Sequence, residues 1–383
     1  MHTPSQNEPR RPSVPERFPG LLRSATALGV VVLATALLWL LAPEHGPYVG
    51  APLPLQALLG SPESGPAIIA ALQALVGAAT TAVGLASIAG RTPSAALLGT
   101  TGIASGAIIG IGFVGFNGIA VSGYLLALAL PVAVLALSAI LIARRRVLGA
   151  LLAALLLALV LLAILGPIPA GLFYEQVATA LPERLLPMLA TLLFVLFAGV
   201  WLLCGALAVL REPGRFGAFV RRHRIAITVL AACCSLPYAI ARASWLTPWP
   251  LFGGEEIERG GATVLATGLM LGAALLLGGV LTLGLILPWG TTFPRLLPRI
   301  GGRPVPVPLA VVPAVVVAAL FTAGGAESLL VALASSGTLP VAQLALVLVL
   351  PFWLWGPLLG LAAWGYAQHR SASPEPTYSS AEA

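Results

Sequence analysis

Apolar residues in this chain come in long runs, not in stripes. Between residues 21 and 366, stretches of Leu, Ala, Val, Ile and Gly are interrupted only by short segments carrying Arg, Glu, Pro or Asn. A helix apolar on every side faces lipid or the interior of a large protein, whereas a surface helix or a half-buried strand would alternate with a period of 3.6 or 2. A helix needs about 20 apolar residues to cross a bilayer. Cutting the runs at charge, Pro and Gly predicts spans over 21–42, 67–89, 95–115, 119–143, 147–166, 187–210, 225–246, 263–287, 308–326 and 341–366. The pattern therefore predicts an all-α, polytopic transmembrane helical bundle of about ten spans. Its narrowest division is Phe116-Asn117-Gly118, where a run too long for one span is read as two.

The charges orient these spans. All 20 basic residues are Arg and all 13 acidic residues are Glu. Positive residues concentrate in cytoplasmic loops. With the N-terminus inside, every Arg except Arg184, Arg242 and Arg259 lies in a cytoplasmic segment, including the triplet Arg144, Arg145 and Arg146. The outer loops instead collect Glu44, Glu63, Glu175, Glu183, Glu255, Glu256, Glu258 and Glu327. Losing one span would invert every later loop, so an even count with both termini cytoplasmic is expected. The chain divides into an N-terminal cytoplasmic tail (1–20), a transmembrane domain (21–367) and a disordered cytoplasmic tail (368–383) rich in Ser, Pro and Glu. The first apolar run continues to Leu41 and meets Pro43 and Glu44 instead of a small-residue cleavage site, so it reads as an uncleaved span.

Composition adds exclusions. The mean hydropathy is +0.99 and 9% of residues are charged, which makes the lipid bilayer the principal partner. Absence of Lys removes the nucleotide-binding GxxxxGK[ST] loop, a Lys Schiff base and an SxxK nucleophile, and absence of Asp removes aspartyl-phosphate chemistry. No nucleic acid is expected as a partner, because no extramembrane domain exists to carry a basic patch. Cys204, Cys233 and Cys234 sit in apolar runs with no CxxC, and His2, His45, His223 and His369 are dispersed, so neither a metal centre nor any cofactor is expected. His45 beside Glu44 is the one outer His–carboxylate pair. Use of Arg in place of Lys with abundant Ala, Gly and Pro fits a GC-rich bacterial genome and hence the bacterial plasma membrane.

Candidate residues are few. Gly110, Gly112 and Gly115 satisfy GxGxxG, but inside a span the better reading joins Gly102, Gly106 and Gly110 as small-xxx-small steps that let a second helix approach closely; Gly268 and Gly272 read the same way. Arg242 is a charge within a span, in Leu236-Pro237-Tyr238-Ala239-Ile240-Ala241-Arg242-Ala243-Ser244-Trp245. Intramembrane charges are costly and often functional, although a position near the outer end also allows Arg242 to snorkel. Tyr238, Arg242, Trp245, Trp249, Glu255 and Glu256 together form a candidate outer-face site, against the plainer reading of an aromatic belt and turn. No Glu is expected near a mid-span position, which disfavours carboxylate-driven coupling. Gln73, Thr80, Thr81 and Gln343 are the polar mid-span groups, suited to joining helices.

The segments Leu236 to Phe252 and Trp289 to Pro313, with the wording WGTTFPR and GGRPVPVPLAVVPA, resemble an uncharacterised family of actinobacterial multi-pass membrane proteins. The resemblance covers about a tenth of the chain; it implies an actinobacterial plasma-membrane protein and brings no activity, cofactor or catalytic residue. The expectation from the residues is permease-like handling of a small or lipidic solute. Its alternatives are a non-catalytic subunit of a cell-envelope complex, with another membrane protein as partner, and, more remotely, a membrane-embedded enzyme.

Overall fold

A computed structural model describes residues 19–46, 53–55, 65–91, 93–123, 170–209, 215–293, 295, 301–334 and 341–372, with scattered positions between 135 and 161; side chains at 45, 170–184, 209, 256 and 341–343 are not described. Among the described residues the regular structure is helical, and eight helices are long and apolar enough to span a membrane. The chain is a multi-pass α-helical membrane protein. The helices are α1 (Pro19–Leu41), α2 (Gly65–Ile88), α3 (Ala95–Gly123), α4 (Ala170–Val209), α5 (Arg215–Arg222), α6 (Arg224–Cys233), α7 (Leu236–Ala243), α8 (Gly254–Leu283), α9 (Val307–Ala334), α10 (Val341–Val349) and α11 (Phe352–Ala372). The spans read from sequence over 119–143 and 147–166 fall largely outside the described residues, as do the Arg144–Arg146 triplet and both terminal tails.

Two compact units divide the chain, residues 1–114 with 189–213 and residues 115–188 with 214–383. In the first, α1 and α2 meet through small residues: a Cβ at Gly77 would lie 2.7 Å from the Leu33 backbone nitrogen, and one at Gly84 would lie 2.2 Å from Thr26 Oγ1. At that separation Gln73, fully buried, donates from Nε2 to the Val32 carbonyl at 2.9 Å and to Thr35 Oγ1 at 3.0 Å. The glycine row of α3 rests on α4. A Cβ on Gly102 would lie 2.6 Å from the Trp201 carbonyl oxygen, one on Gly106 would lie 2.5 Å from Leu202 Cγ, and one on Gly110 would be in ordinary contact with Ala198. Trp201, itself buried, donates its indole N–H to the Ala25 carbonyl at 3.0 Å.

In the second unit α9 and α11 share the closest contact, because Gly325 faces the Trp353 backbone and Gly356 faces the Thr322 backbone. Phe321 stacks on Phe352 at 4.2 Å beside Trp355, and α6 covers Leu359, Ala362 and Tyr366 with Ile227 and Ala231. Much of the outer surface is bare Leu and Val, for example Leu75, Met270 and Leu309, as expected where lipid is the solvent.

Four expectations change. The Phe116–Gly118 interruption does not end α3, which continues to Gly123 through a π-turn at Gly110–Val114 and a left-handed Gly115 (φ +48°). Glycine at 115 takes this φ without a Cβ clash, so the chain turns and resumes helix. Glu327, assigned to an outer loop, lies within α9. The last span is broken at Leu350-Pro351. Finally, α11 continues to Ala372, past the limit of 367, because Arg370 is tied to the neighbouring loop.

Gly102→Val should therefore destabilise the protein by about 1–3 kcal/mol through overpacking. Gly199→Ala, where an added Cβ meets nothing within 4 Å, should be neutral or stabilising. Thermal unfolding of the two purified variants in detergent checks the contrast.

Candidate functional site

Pro237 sets the site. It has no N–H to return to the Cys233 carbonyl, so the span Arg224–Leu246 is not one helix: α6 ends at Cys233, Cys234 and Ser235 form a turn, and α7 restarts with Pro237 in its first turn. Within α7 and the 3₁₀ turn Ser244–Leu246, residues 238, 242 and 245 are spaced four and three apart and share one face. Tyr238 and Trp245 are buried, and Arg242 is half-buried between them.

The guanidinium carbon of Arg242 lies 4.0 Å from the Trp245 ring centroid and 4.8 Å from that of Tyr238. Its seat is α8. A Cβ on Gly268 would lie 2.2 Å from Trp245 Cζ3, one on Gly272 would lie 2.8 Å from Arg242 Cβ, and one on Gly279 would lie 2.2 Å from Ser235 Oγ. Ser235 and Arg242 are seven apart on their segment, as are Gly279 and Gly272 on α8, so antiparallel helices bring them into register. The Gly268 and Gly272 step thus receives the two side chains that also read as candidate site residues.

Trp245 in turn holds the outer loop. Its indole N–H donates to the carbonyls of Leu251 at 2.9 Å and Phe252 at 3.1 Å, and the Leu251 N–H donates to Ser244 Oγ at 2.8 Å. Phe252 is the one non-glycine residue with positive φ among the described residues (φ +49°), followed by Gly253 at +83°. A left-handed bulky residue costs of order 1–2 kcal/mol, so the Trp245 bonds help keep this turn in place.

Electrostatically Arg242 is under-satisfied. Nε and Nη1 are enclosed and have no hydrogen-bond partner among the described residues. An unmet buried donor costs about 1–3 kcal/mol, and a desolvated cation–π contact returns about 2 kcal/mol. Two ring contacts are therefore of the same order as two unmet donors, so the arrangement contributes little net stability.

Arg370 shows the bonded alternative. Its Nη1 donates to the Thr291 carbonyl and Tyr366 Oη, each at 3.1 Å, and its Nη2 to the Val305 carbonyl at 3.0 Å, while Tyr366 donates to the Gly290 carbonyl at 2.8 Å. These bonds close the segment 288–306, where Phe293 N–H reaches the Arg303 carbonyl and Thr292 bridges Pro304. Arg370 is a structural clamp and Arg242 is not.

Other candidate residues lie apart from Arg242. Trp249 is 79% exposed. Glu255 sits in the first turn of α8, paired with Arg259 at 3.3 Å on the surface, and with Pro250, Phe252 and Glu258 lines an open cleft of about 560 Å³ that Arg242 does not line. The side chains of Glu256, His45 and Gln343 are not described. No group of His, Cys and Glu suited to a metal occurs among the described residues.

Sequence reasoning missed two structural roles of charged side chains. Glu327 accepts the backbone N–H of Phe116, the first residue after the left-handed Gly115, and so caps the restarted helix. It lies six residues before the end of the span Val307–Leu333, toward one end and not at its middle. Arg370 was read as part of a tail. No protein-family model, curated protein or solved structure matches the chain.

Two outcomes follow for stability and protection. Arg370→Ala should cost about 2–4 kcal/mol by stranding charge-bonded carbonyls, whereas Arg242→Met should be neutral or stabilising because it removes unmet donors while keeping length; thermal unfolding in detergent separates them. Glu327→Ala should raise amide exchange at Phe116 at least tenfold, with Glu327→Gln intermediate, read by hydrogen–deuterium exchange mass spectrometry.

Proposed function

We propose that this chain is a permease-like protein of the bacterial plasma membrane, with about ten spans and both termini cytoplasmic, that takes a small or lipidic solute at an outer-face site centred on Arg242. The observation that carries the reading is a guanidinium within a membrane-span helix whose Nε and Nη1 are enclosed and meet no hydrogen-bond partner among the described residues. Intramembrane charges without a partner mark solute or ion pathways, and a broken helix such as α6–α7 is the usual way to place a polar group among spans. The basic distribution of Arg over the expected inner loops supports the orientation. The actinobacterial family resemblance of 236–252 and 289–313 belongs to the same reading.

A second reading, a non-catalytic subunit bound to another membrane protein, is favoured by the exposure of Leu246 (70%) and Trp249 (79%) on adjoining segments. Water access separates the two. In a background with Cys204, Cys233 and Cys234 replaced by Ala, Tyr238→Cys and Arg242→Cys should react with an externally added, membrane-impermeant maleimide at least threefold faster than Ile240→Cys, which is 59% exposed on the bundle surface. Rates equal to that of Ile240→Cys remove the pathway and leave the partner reading.

A further inference from the structure

We propose that Arg242 recognises a phosphate oxyanion, presented by the headgroup of a membrane lipid. The proposal deepens the outer-face site above and rests on that reading for its place in function.

Guanidinium offers two kinds of surface, its faces and its in-plane N–H groups. In Arg242 the faces are used: Trp245 and Tyr238 lie at 4.0 and 4.8 Å from its central carbon. The rings are apolar and cannot accept the N–H groups in the plane. Nε and Nη1 are enclosed and unpaired among the described residues, and Nη2 is not one of the enclosed atoms. What the site lacks is an in-plane acceptor with negative charge, and the planar fork of Arg matches a phosphate through parallel N–H···O bonds.

Among the described residues, the neighbouring outer segment supplies no such acceptor. Glu255 is committed to Arg259 at 3.3 Å and, with Glu258, faces the open cleft. A snorkelling arginine would expose all its nitrogens, whereas Nε and Nη1 here are enclosed and Gly272 seats the stem, where an added Cβ would meet Arg242 Cβ and Cγ. Such a held cation is preorganised for a ligand.

Depth selects the source. Arg242 lies four residues before the end of the span Arg224–Leu246, about 6–7 Å from that end and so near one edge of the hydrocarbon core. At that level lipid phosphates are the abundant anion. The exposed Leu246 and Ile240 flank the position with apolar surface suited to acyl chains.

The test is ³¹P NMR of dihexanoyl phosphatidylglycerol titrated with the full chain in an uncharged detergent, repeated with inorganic phosphate. Saturable broadening of the lipid resonance is expected, at least tenfold weaker in Arg242→Gln and unchanged in Arg259→Gln. Binding of the lipid but not of inorganic phosphate supports the headgroup; equal binding of inorganic phosphate, still lost in Arg242→Gln, supports the same oxyanion chemistry with a free solute as its source. No broadening with the wild-type chain, or broadening unaltered in a folded Arg242→Gln, overturns the proposal. The wild-type arm needs no variant to fold. Failure here with fast maleimide labelling at Arg242→Cys would reject the phosphate and keep the pathway; slow labelling with intact binding would do the reverse.

Discussion

Lipid gives apolar helices no reason to leave it, so the structure depends on backbones approaching more closely than lipid tails can. Glycine makes that approach. At Gly77 against Leu33, Gly102 against Trp201 and Gly205, Gly325 against Trp353 and Gly356 against Thr322, a Cβ would fall under 3 Å from backbone atoms of the facing helix. Polar bonds between spans follow from this separation. Gln73 reaches Val32 and Thr35 within the unit where Gly77 meets Leu33, and Trp201 reaches Ala25 in the unit where Gly102 faces the Trp201 carbonyl. Larger residues at the contacts would lengthen those bonds beyond use.

A chain with no Lys, no Asp and Glu concentrated near its loops has few ways to keep a cation in a bundle. Two arginines display two solutions. Arg370 is satisfied by carbonyls of a loop that it also fastens, so its charge contributes to the fold. Arg242 is held by rings, which stabilise the charge, while its Nε and Nη1 meet no hydrogen-bond partner among the described residues. Evolution of stability alone would favour the first arrangement or an apolar residue.

Spans were legible because lipid imposes length and composition together, and the eight described ones overlap runs read from the sequence. The glycine steps were legible as steps, but not their partners: nothing local says that Gly268 and Gly272 receive Trp245 and Arg242 rather than another helix's alanines. Tyr238, Arg242 and Trp245 share a face by spacing alone, so their grouping could be read; Trp249 and Glu255 were grouped with them by proximity in sequence, which a turn undoes. Glu327 was misplaced because charge was used to end a span, whereas a carboxylate that accepts the Phe116 N–H is tolerated inside one. The same habit ended the chain's last helix before Arg370; Phe116-Asn117-Gly118 was read as an interruption from the length of the run, whereas a single left-handed glycine at 115 lets the helix resume.

Breaks in the helices and the polar groups of the second unit coincide for one physical reason. An interrupted helix leaves backbone N–H and carbonyl groups without their usual partners, and in hydrocarbon such groups must be met by protein. At Gly115 the freed N–H of Phe116 is met by the Glu327 carboxyl oxygen, an acceptor placed where a helix start is electropositive. At Pro237 the turn is closed differently: Ser235 donates from its N–H and its Oγ to the Ala232 carbonyl at 3.1 and 2.8 Å, and Gly279 admits it against α8. Arg242, about two turns beyond Ser235, takes no part in that contact, and its Nε and Nη1 meet no partner among the described residues. The turn and the cation are therefore seated separately on α8, at Gly279 and at Gly272.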